Sequence, residues 1–99
     1  MDTLRLDAYT IDTLMPDLVG HDRRPSAFIV YLFLWSKTVA AQKPTAFLSH
    51  QTIADGTGLS KRAVQEALRT LVRRRLVTAR RSGPTAIIEY TVHRPWART

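Results

Sequence analysis

Ser60, Lys61, Arg62, Gln65, Arg69 and Arg73 fall within fourteen residues of one another and are separated by apolar positions. An arginine guanidinium can fork onto guanine O6 and N7, and a glutamine amide can pair with adenine N6 and N7. Each such pair is worth roughly 1–3 kcal/mol of discrimination between bases. Ser60 and Lys61 precede the periodic run, where free backbone N–H groups of a helix start already favour a phosphate. Any solvated helix turns arginine and glutamine outward. What sets this one apart is that the bases continue through Arg74, Arg75, Arg80 and Arg81, so that Lys61–Arg81 holds eight bases and one acid. Like charges crowded in this way repel one another, and a polyanion relieves the repulsion.

The elements that must position these groups follow from periodicity. With Val64 at zero and about 100° per residue, Ala67, Leu68, Leu71 and Val72 lie within about 80° of it. Arg62, Gln65, Glu66, Arg69 and Arg73 lie opposite. Ser60 caps this helix, Lys61 to about Arg74, with Glu66 too late for a capping box. Ser49 caps a shorter helix from His50 to about Gly56, and Gly58 suits a left-handed exit from it. After Leu76 the period changes: residues 77–81 and 86–92 read as strands, with Ile88, Tyr90 and Val92 on one face. Ser82-Gly83-Pro84-Thr85 between them is turn chemistry, which makes the pair a hairpin.

Upstream, Pro25 suits the first position of a helix running to about Ala41. Phe28, Val30, Tyr31, Leu32, Phe33, Leu34, Trp35 and Val39 cannot share one face, so this helix is either the centre of the core or partly a subunit interface. Thr45–Leu48 fits a brief edge strand. Ile11, Leu14, Met15 and Leu18 predict a short helix from Asp12 to Gly20, unless Pro16 marks its first turn. Asp2, Asp7, Asp12, Asp17 and Asp22 recur every five residues, a period of neither α-helix nor strand, and read as coincidence. Residues 93–99 read as an irregular tail whose Trp96 can dock on the body. Together these elements predict one mainly α (α+β) domain over 1–99, with an acidic segment 1–24, a core 25–92 and the tail. It has three to four helices and a C-terminal two-stranded β-hairpin.

The whole chain has 99 residues, 44% of them hydrophobic, which suits one globular core. Its net charge is +7 and its pI about 10.8. Residues 1–22 carry one arginine against five aspartates, a net of −4, while the remainder carries fourteen bases against three acids, a net of +11. The absence of cysteine excludes disulfides and thiolate metal sites. The longest apolar run, Ala27–Trp35, has nine residues, well short of the roughly 20 that span a bilayer. No signal core opens the chain. It reads as a soluble, cytoplasmic protein without a membrane partner. Met1 reads as a natural start, and the chain reads either as complete or as a domain of a longer protein.

His21, His50 and His93 are isolated in sequence, with no paired carboxylate or second histidine at ligand spacing, and read as surface or locally bonded residues. Gly56-x-Gly58 lacks the third glycine and the parallel-sheet unit of a phosphate loop. No nucleophile–base or carboxylate pair emerges, so neither enzymatic activity nor a cofactor or metal is expected.

The stretch His50–Leu76 resembles a helix-turn-helix, with Ala54, Gly58 and Val64 matching its small–glycine–branched spacing. The run Leu59-Ser60-Lys61-Arg62-Ala63-Val64-Gln65-Glu66-Ala67-Leu68-Arg69-Thr70-Leu71 is similar to the Ser-Arg-x-x-Val-Arg-Glu-Ala-Leu-x-x-Leu pattern of GntR-type bacterial regulators. With the hairpin, residues 25–92 resemble a winged helix-turn-helix. The resemblance implies that the second helix enters the major groove of duplex DNA, with Ser60, Lys61, Arg62 and Gln65 near bases or backbone. It places Ser82–Thr85, including Gly83, at a wing tip that reaches phosphates or the minor groove, with Arg80 or Arg81 beside it. The sequence departs from the pattern at Arg75, where glycine is common, a strain of about 1–2 kcal/mol. Gly56 costs its helix about 1 kcal/mol relative to alanine. Within these 99 residues no GntR-type effector domain is expected after the wing.

The leading expectation is a small homodimeric transcriptional regulator binding duplex DNA through Ser60, Lys61, Arg62, Gln65, Arg69, Arg73, Arg80, Arg81 and Gly83. The dimer contact falls to helix 25–41 or the N-terminal segment. Small plasmid or phage replication-initiator domains share much of the pattern, including the preceding apolar helix. A winged helix used for protein contact is the third reading.

Overall fold

The computed structural model of the chain describes residues 2–97. Arg98 and Thr99 of the predicted tail, and Met1, lie outside the described residues. The three α-helices are α1 (Pro25–Lys37), α2 (His50–Thr57) and α3 (Lys61–Arg73), and the three strands are β1 (Ala46–Leu48), β2 (Val77–Arg80) and β3 (Ile88–Val92). Two π-helical segments, Thr10–Leu14 and Asp17–His21, precede them. This is a small α+β winged helix-turn-helix fold.

The N-terminal helix is where sequence and structure differ most. Winding begins before Asp12, which lies in the first turn of the first π-segment rather than at its cap. Gly20 lies inside the second segment rather than ending it. Pro16 has no N–H to give an i→i−4 ladder and its ring crowds the turn before it; the chain adopts the wider i→i+5 winding on either side. That winding moves the buried face. Thr10, Leu14 and Leu18 point inward, four residues apart, while Ile11 and Met15, expected inside, are exposed together with Val19. It also stacks Asp22 on Asp17, whose carbonyl accepts from the Asp22 N–H at 2.9 Å. At this spacing the two side chains meet one partner, Arg74.

Pro25 opens α1 as expected, but the helix ends at Lys37, four residues early. Thr38 Oγ1 donates back to the Leu34 carbonyl at 2.8 Å, and the Lys43 N–H closes a turn onto the Thr38 carbonyl at 2.9 Å. Ala27, Phe28, Val30, Tyr31, Leu34 and Trp35 of α1 are buried, so α1 is the central core helix, packed on α2, α3, β3 and the N-terminal turns. Its two aromatic polar atoms are satisfied: Tyr31 Oη donates to the His93 carbonyl at 2.8 Å and Trp35 Nε1 to the Arg5 carbonyl at 2.7 Å.

The strands form one antiparallel sheet in the order β1-β3-β2, so β1 is an edge strand. Leu48 pairs with Ile88 and Ala46 with Tyr90 on one side, and Ala79 with Tyr90 on the other. Ile88, Tyr90 and Val92 face the helices, with Tyr90 fully buried. The strands are shorter than the pattern predicts, and the wing loop correspondingly runs from 81 to 87. The Ala86 N–H donates to the Gly83 carbonyl at 3.1 Å, which holds residues 83–86 as a turn. The tail docks as expected: Trp96 stacks on Tyr9 at 4.6 Å between ring centroids, and its Nε1 donates to Asp7 at 2.9 Å.

Candidate nucleic-acid interface

Two serine caps and one left-handed glycine set the angle between α2 and α3. Ser49 Oγ accepts from the Thr52 N–H at 3.0 Å and Ser60 Oγ from the Ala63 N–H at 3.1 Å. Such caps each stabilise a helix start by about 1 kcal/mol. Gly58 leaves α2 at φ 82°, with its N–H on the Ala54 carbonyl at 2.9 Å. From α3, Val64, Ala67, Leu68 and Leu71 enter the core, whereas Lys61, Arg62, Gln65, Arg69 and Arg73 are exposed.

A family model described as a helix-turn-helix domain matches residues 24–77. The chain belongs to this helix-turn-helix family. The matched span covers α1, α2 and α3 and stops at the first residue of β2. No curated protein and no solved structure matches the chain. Among the described residues no helix is long and apolar enough to cross a membrane.

Around the helix-turn-helix, the structure gathers some of the expected residues and separates others. Gln65 Nε2 lies 3.4 Å from His50 Nδ1, which joins the middle of α3 to the start of α2. Arg81 and His50 line one depression with Ser49 and the wing residues Pro84, Thr85 and Ala86. Burial, then the charges of Arg81 and Lys61, hold the His50 imidazole below its ordinary pKa of 6.5. His50 was expected to be isolated; it sits instead where α2, α3 and the wing converge. No local spacing could show this, because its partners are far away in sequence.

Arg80 and Arg81 both border the depression beside Phe47 and Glu89, but only Arg81 also borders the one beside His50. Val77 is buried and Ala79 faces α3, so alternation turns Arg80 to the outer face of the hairpin, beside Phe47 and Glu89. Gly83 is half-buried, with open space where a side chain would project. Ser60 is exposed with its oxygen engaged in the cap, and Arg62 bonds Glu66 at 3.3 Å while staying open to solvent. Val72, assigned to the core face, is 44% exposed, because its place at the margin of that face opens onto a cleft between α3 and the sheet.

The arginine triplet at the end of α3 is divided as well. Arg73 and Arg75 are exposed, Arg75 in the left-handed region at φ 59°. Arg74 turns back onto Asp17 and Asp22, and these partners, Asp17 first, raise its pKa against the effect of burial. His21 also departs from its expected isolation, with Nδ1 3.0 Å from Asp22 and 3.9 Å from Asp17. Ligand atoms of Asp17, His21 and Asp22 lie within 4.8 Å of one another, but both carboxylates are already engaged by the Arg74 guanidinium. His93 is locally bonded, to Thr78 Oγ1 at 2.6 Å.

Proposed function

We propose that the chain is a sequence-specific duplex-DNA-binding domain, a small transcriptional regulator that lays α3 in the major groove. The observation that carries this reading is the convergence of side chains from three elements: Lys61 and Gln65 of α3, His50 of α2 and Arg81 of the wing. Arg62, Arg69 and Arg73 extend the same outward side of α3. A helix fits the roughly 12 Å major groove, where arginine and glutamine can read base edges. In this reading Ser60 and Lys61 meet backbone phosphate at the helix start, Arg81 and Gly83 bring the wing to the flanking strand, and Arg80 contacts phosphate from the wing's outer face.

The same reading takes residues 1–99 as one cytoplasmic, nucleoid-associated domain that acts as a homodimer on two half-sites about one helical turn apart. Most apolar residues of α1 enter the core but Ile29 stays exposed, so the dimer contact falls to the exposed Ile11, Met15 and Val19 of the N-terminal segment or to the Ile29 side of α1. The GntR-like run of α3 supports the regulator; the apolar helix before it is shared with replication initiators, which would occupy iterated sites near an origin.

Selection of bound duplexes from a random pool tests the reading. One enriched motif is expected, with log K falling against log salt at a slope of roughly −5 if about six phosphates are neutralised. Weak binding that is insensitive to both sequence and salt would overturn it.

A further inference from the structure

A cleft of about 400 Å³ separates α3 from the sheet. Leu68 and Val72 form one apolar wall and Ala79 and Ile88 the other, with Tyr90 also contributing to the lining. Polar side chains close the circuit: His50, Gln65 and Arg69. The volume lies within the roughly 300–1,000 Å³ of small-molecule sites, and an apolar lining with a few convergent polar groups is their usual composition.

Two observations set this cleft apart from a packing defect. Tyr90 is fully buried, yet its hydroxyl has no hydrogen-bond partner among the described residues, which leaves a donor in need of an acceptor. The other aromatic polar groups of the core, on Tyr31 and Trp35, each have one. The field around the cleft is also cationic. Arg69 stands on its rim, and the charges of Arg81 and Lys61 act on His50 beside it.

We infer that this cleft binds a small aromatic carboxylate, its ring between Leu68, Val72, Ala79 and Ile88 and its anionic end met by Tyr90 Oη, the Gln65 amide and Arg69. An occupant there engages Gln65 and Arg69, two of the side chains assigned above to DNA. Binding would therefore compete with the duplex; only this consequence rests on the proposed function.

The test uses the full chain, ¹⁵N-labelled, titrated by NMR with benzoate, with acetate and toluene as comparators. Benzoate is expected to shift the amides of Leu68, Val72, Ala79, Ile88 and Tyr90. Tyr90→Phe, which removes only the hydroxyl, should weaken it by about tenfold, the loss of one hydrogen bond to an ion. Val72→Trp, which fills the cleft from its exposed rim without disturbing the core, should abolish it. Shifts confined to surface arginines and reproduced by acetate would reduce the site to general anion binding and overturn the proposal. Toluene binding as tightly as benzoate, with no effect of Tyr90→Phe, would overturn the carboxylate assignment. In a second arm benzoate should weaken binding of a selected duplex to the native chain but not to Val72→Trp. If no duplex binds at all, the proposed function fails while the direct titration still decides the cleft.

Discussion

Arg74, the C-cap residue of α3, donates through Nη1 to Asp22 of the acidic N-terminal segment, and through Nη2 to Asp17. The acidic leader is thus not a loose counter-charge to the basic body. Two of its aspartates hold one arginine of the Arg73-Arg74-Arg75 triplet and fasten the N-terminal turns to the helix-turn-helix. The pairs are half-buried, between the exposed pairs worth at most about 1 kcal/mol and the buried ones whose disruption costs about 3–5 kcal/mol. Arg74→Met should lower stability by about 1–3 kcal/mol in urea denaturation. The same change at exposed Arg73 should leave stability within about 0.5 kcal/mol. If Arg73 is the costlier substitution, the clamp is wrongly placed.

A pH signature follows from Asp22. The His21 imidazole, then Arg74, hold its carboxyl below the ordinary 3.8 against the opposing effect of burial. The folded state therefore binds this proton less readily than the unfolded state. The stability Asp22 contributes is complete above the unfolded value and fades as pH falls through the lower folded value. The stability gap between the native chain and Asp22→Asn should be constant near neutrality and should close below about pH 4. A gap that widens on acidification would reverse the sign.

Gly56 is placed by a ring and not by a turn. A β-carbon there would stand 2.2 Å from Phe33 Cε1 and 2.5 Å from Cζ, so the Phe33 ring rests against α2 where it does only because position 56 has no side chain. Helix propensity alone favours alanine by about 1 kcal/mol. Gly56→Ala should gain that amount in a Phe33→Ala background and be destabilising when Phe33 is present. A double-mutant cycle by thermal or urea unfolding measures the coupling. Equal effects in the two backgrounds would remove Phe33 from the explanation.

These cases mark what the sequence could reveal. Ser49, Gly58, Ser60 and the buried face of α3 follow from spacings of one to four residues, and all but Val72 at the margin of that face stand where local rules put them. The hairpin and the docking of Trp96 were legible for a similar reason, since turn chemistry and a stranded aromatic are local signals. The π-winding was not: around Pro16 the helical period itself changes, so a pattern read at 3.6 residues per turn assigned Ile11 and Met15 to the wrong face. Nor were the positions of His50, Arg74 and Arg80, which depend on elements that meet only in the folded chain. Charge counting treated all the arginines alike, whereas the fold withdraws one and turns another to the far side of the hairpin.

Arg75 offers a gain in stability. Its φ of 59° is the left-handed region, where a β-carbon crowds the backbone and glycine does not. The position must be left-handed because the chain reverses directly: the Leu76 N–H returns to the Leu71 carbonyl at 2.9 Å before β2 begins. Arg75→Gly should raise stability by about 1 kcal/mol, less what the unfolded chain gains in freedom. Calorimetric or urea unfolding would register it as a higher midpoint, and a clear loss would show that the arginine side chain makes a compensating contact.

His50 gives the most specific prediction for the interface. In the free chain burial, Arg81 and Lys61 keep its imidazole below 6.5, so it is mostly neutral at pH 7. A phosphate placed between Arg81 and the start of α2 would supply the opposite charge and raise the bound-state pKa. Between the two values, binding takes up a proton, so affinity for a selected duplex should increase as pH falls from about 7.5 toward 5.5. Below the free-state value both forms are protonated and the gain saturates. His50→Gln keeps hydrogen-bonding capacity beside Gln65 but cannot titrate, and it should flatten the profile while leaving affinity at pH 8 within about threefold. The measurement is duplex affinity against pH at fixed salt for the two proteins, with the folded fraction of each followed by circular dichroism. Parallel profiles would place His50 outside the contact surface and leave Arg81 and the exposed face of α3 to carry it.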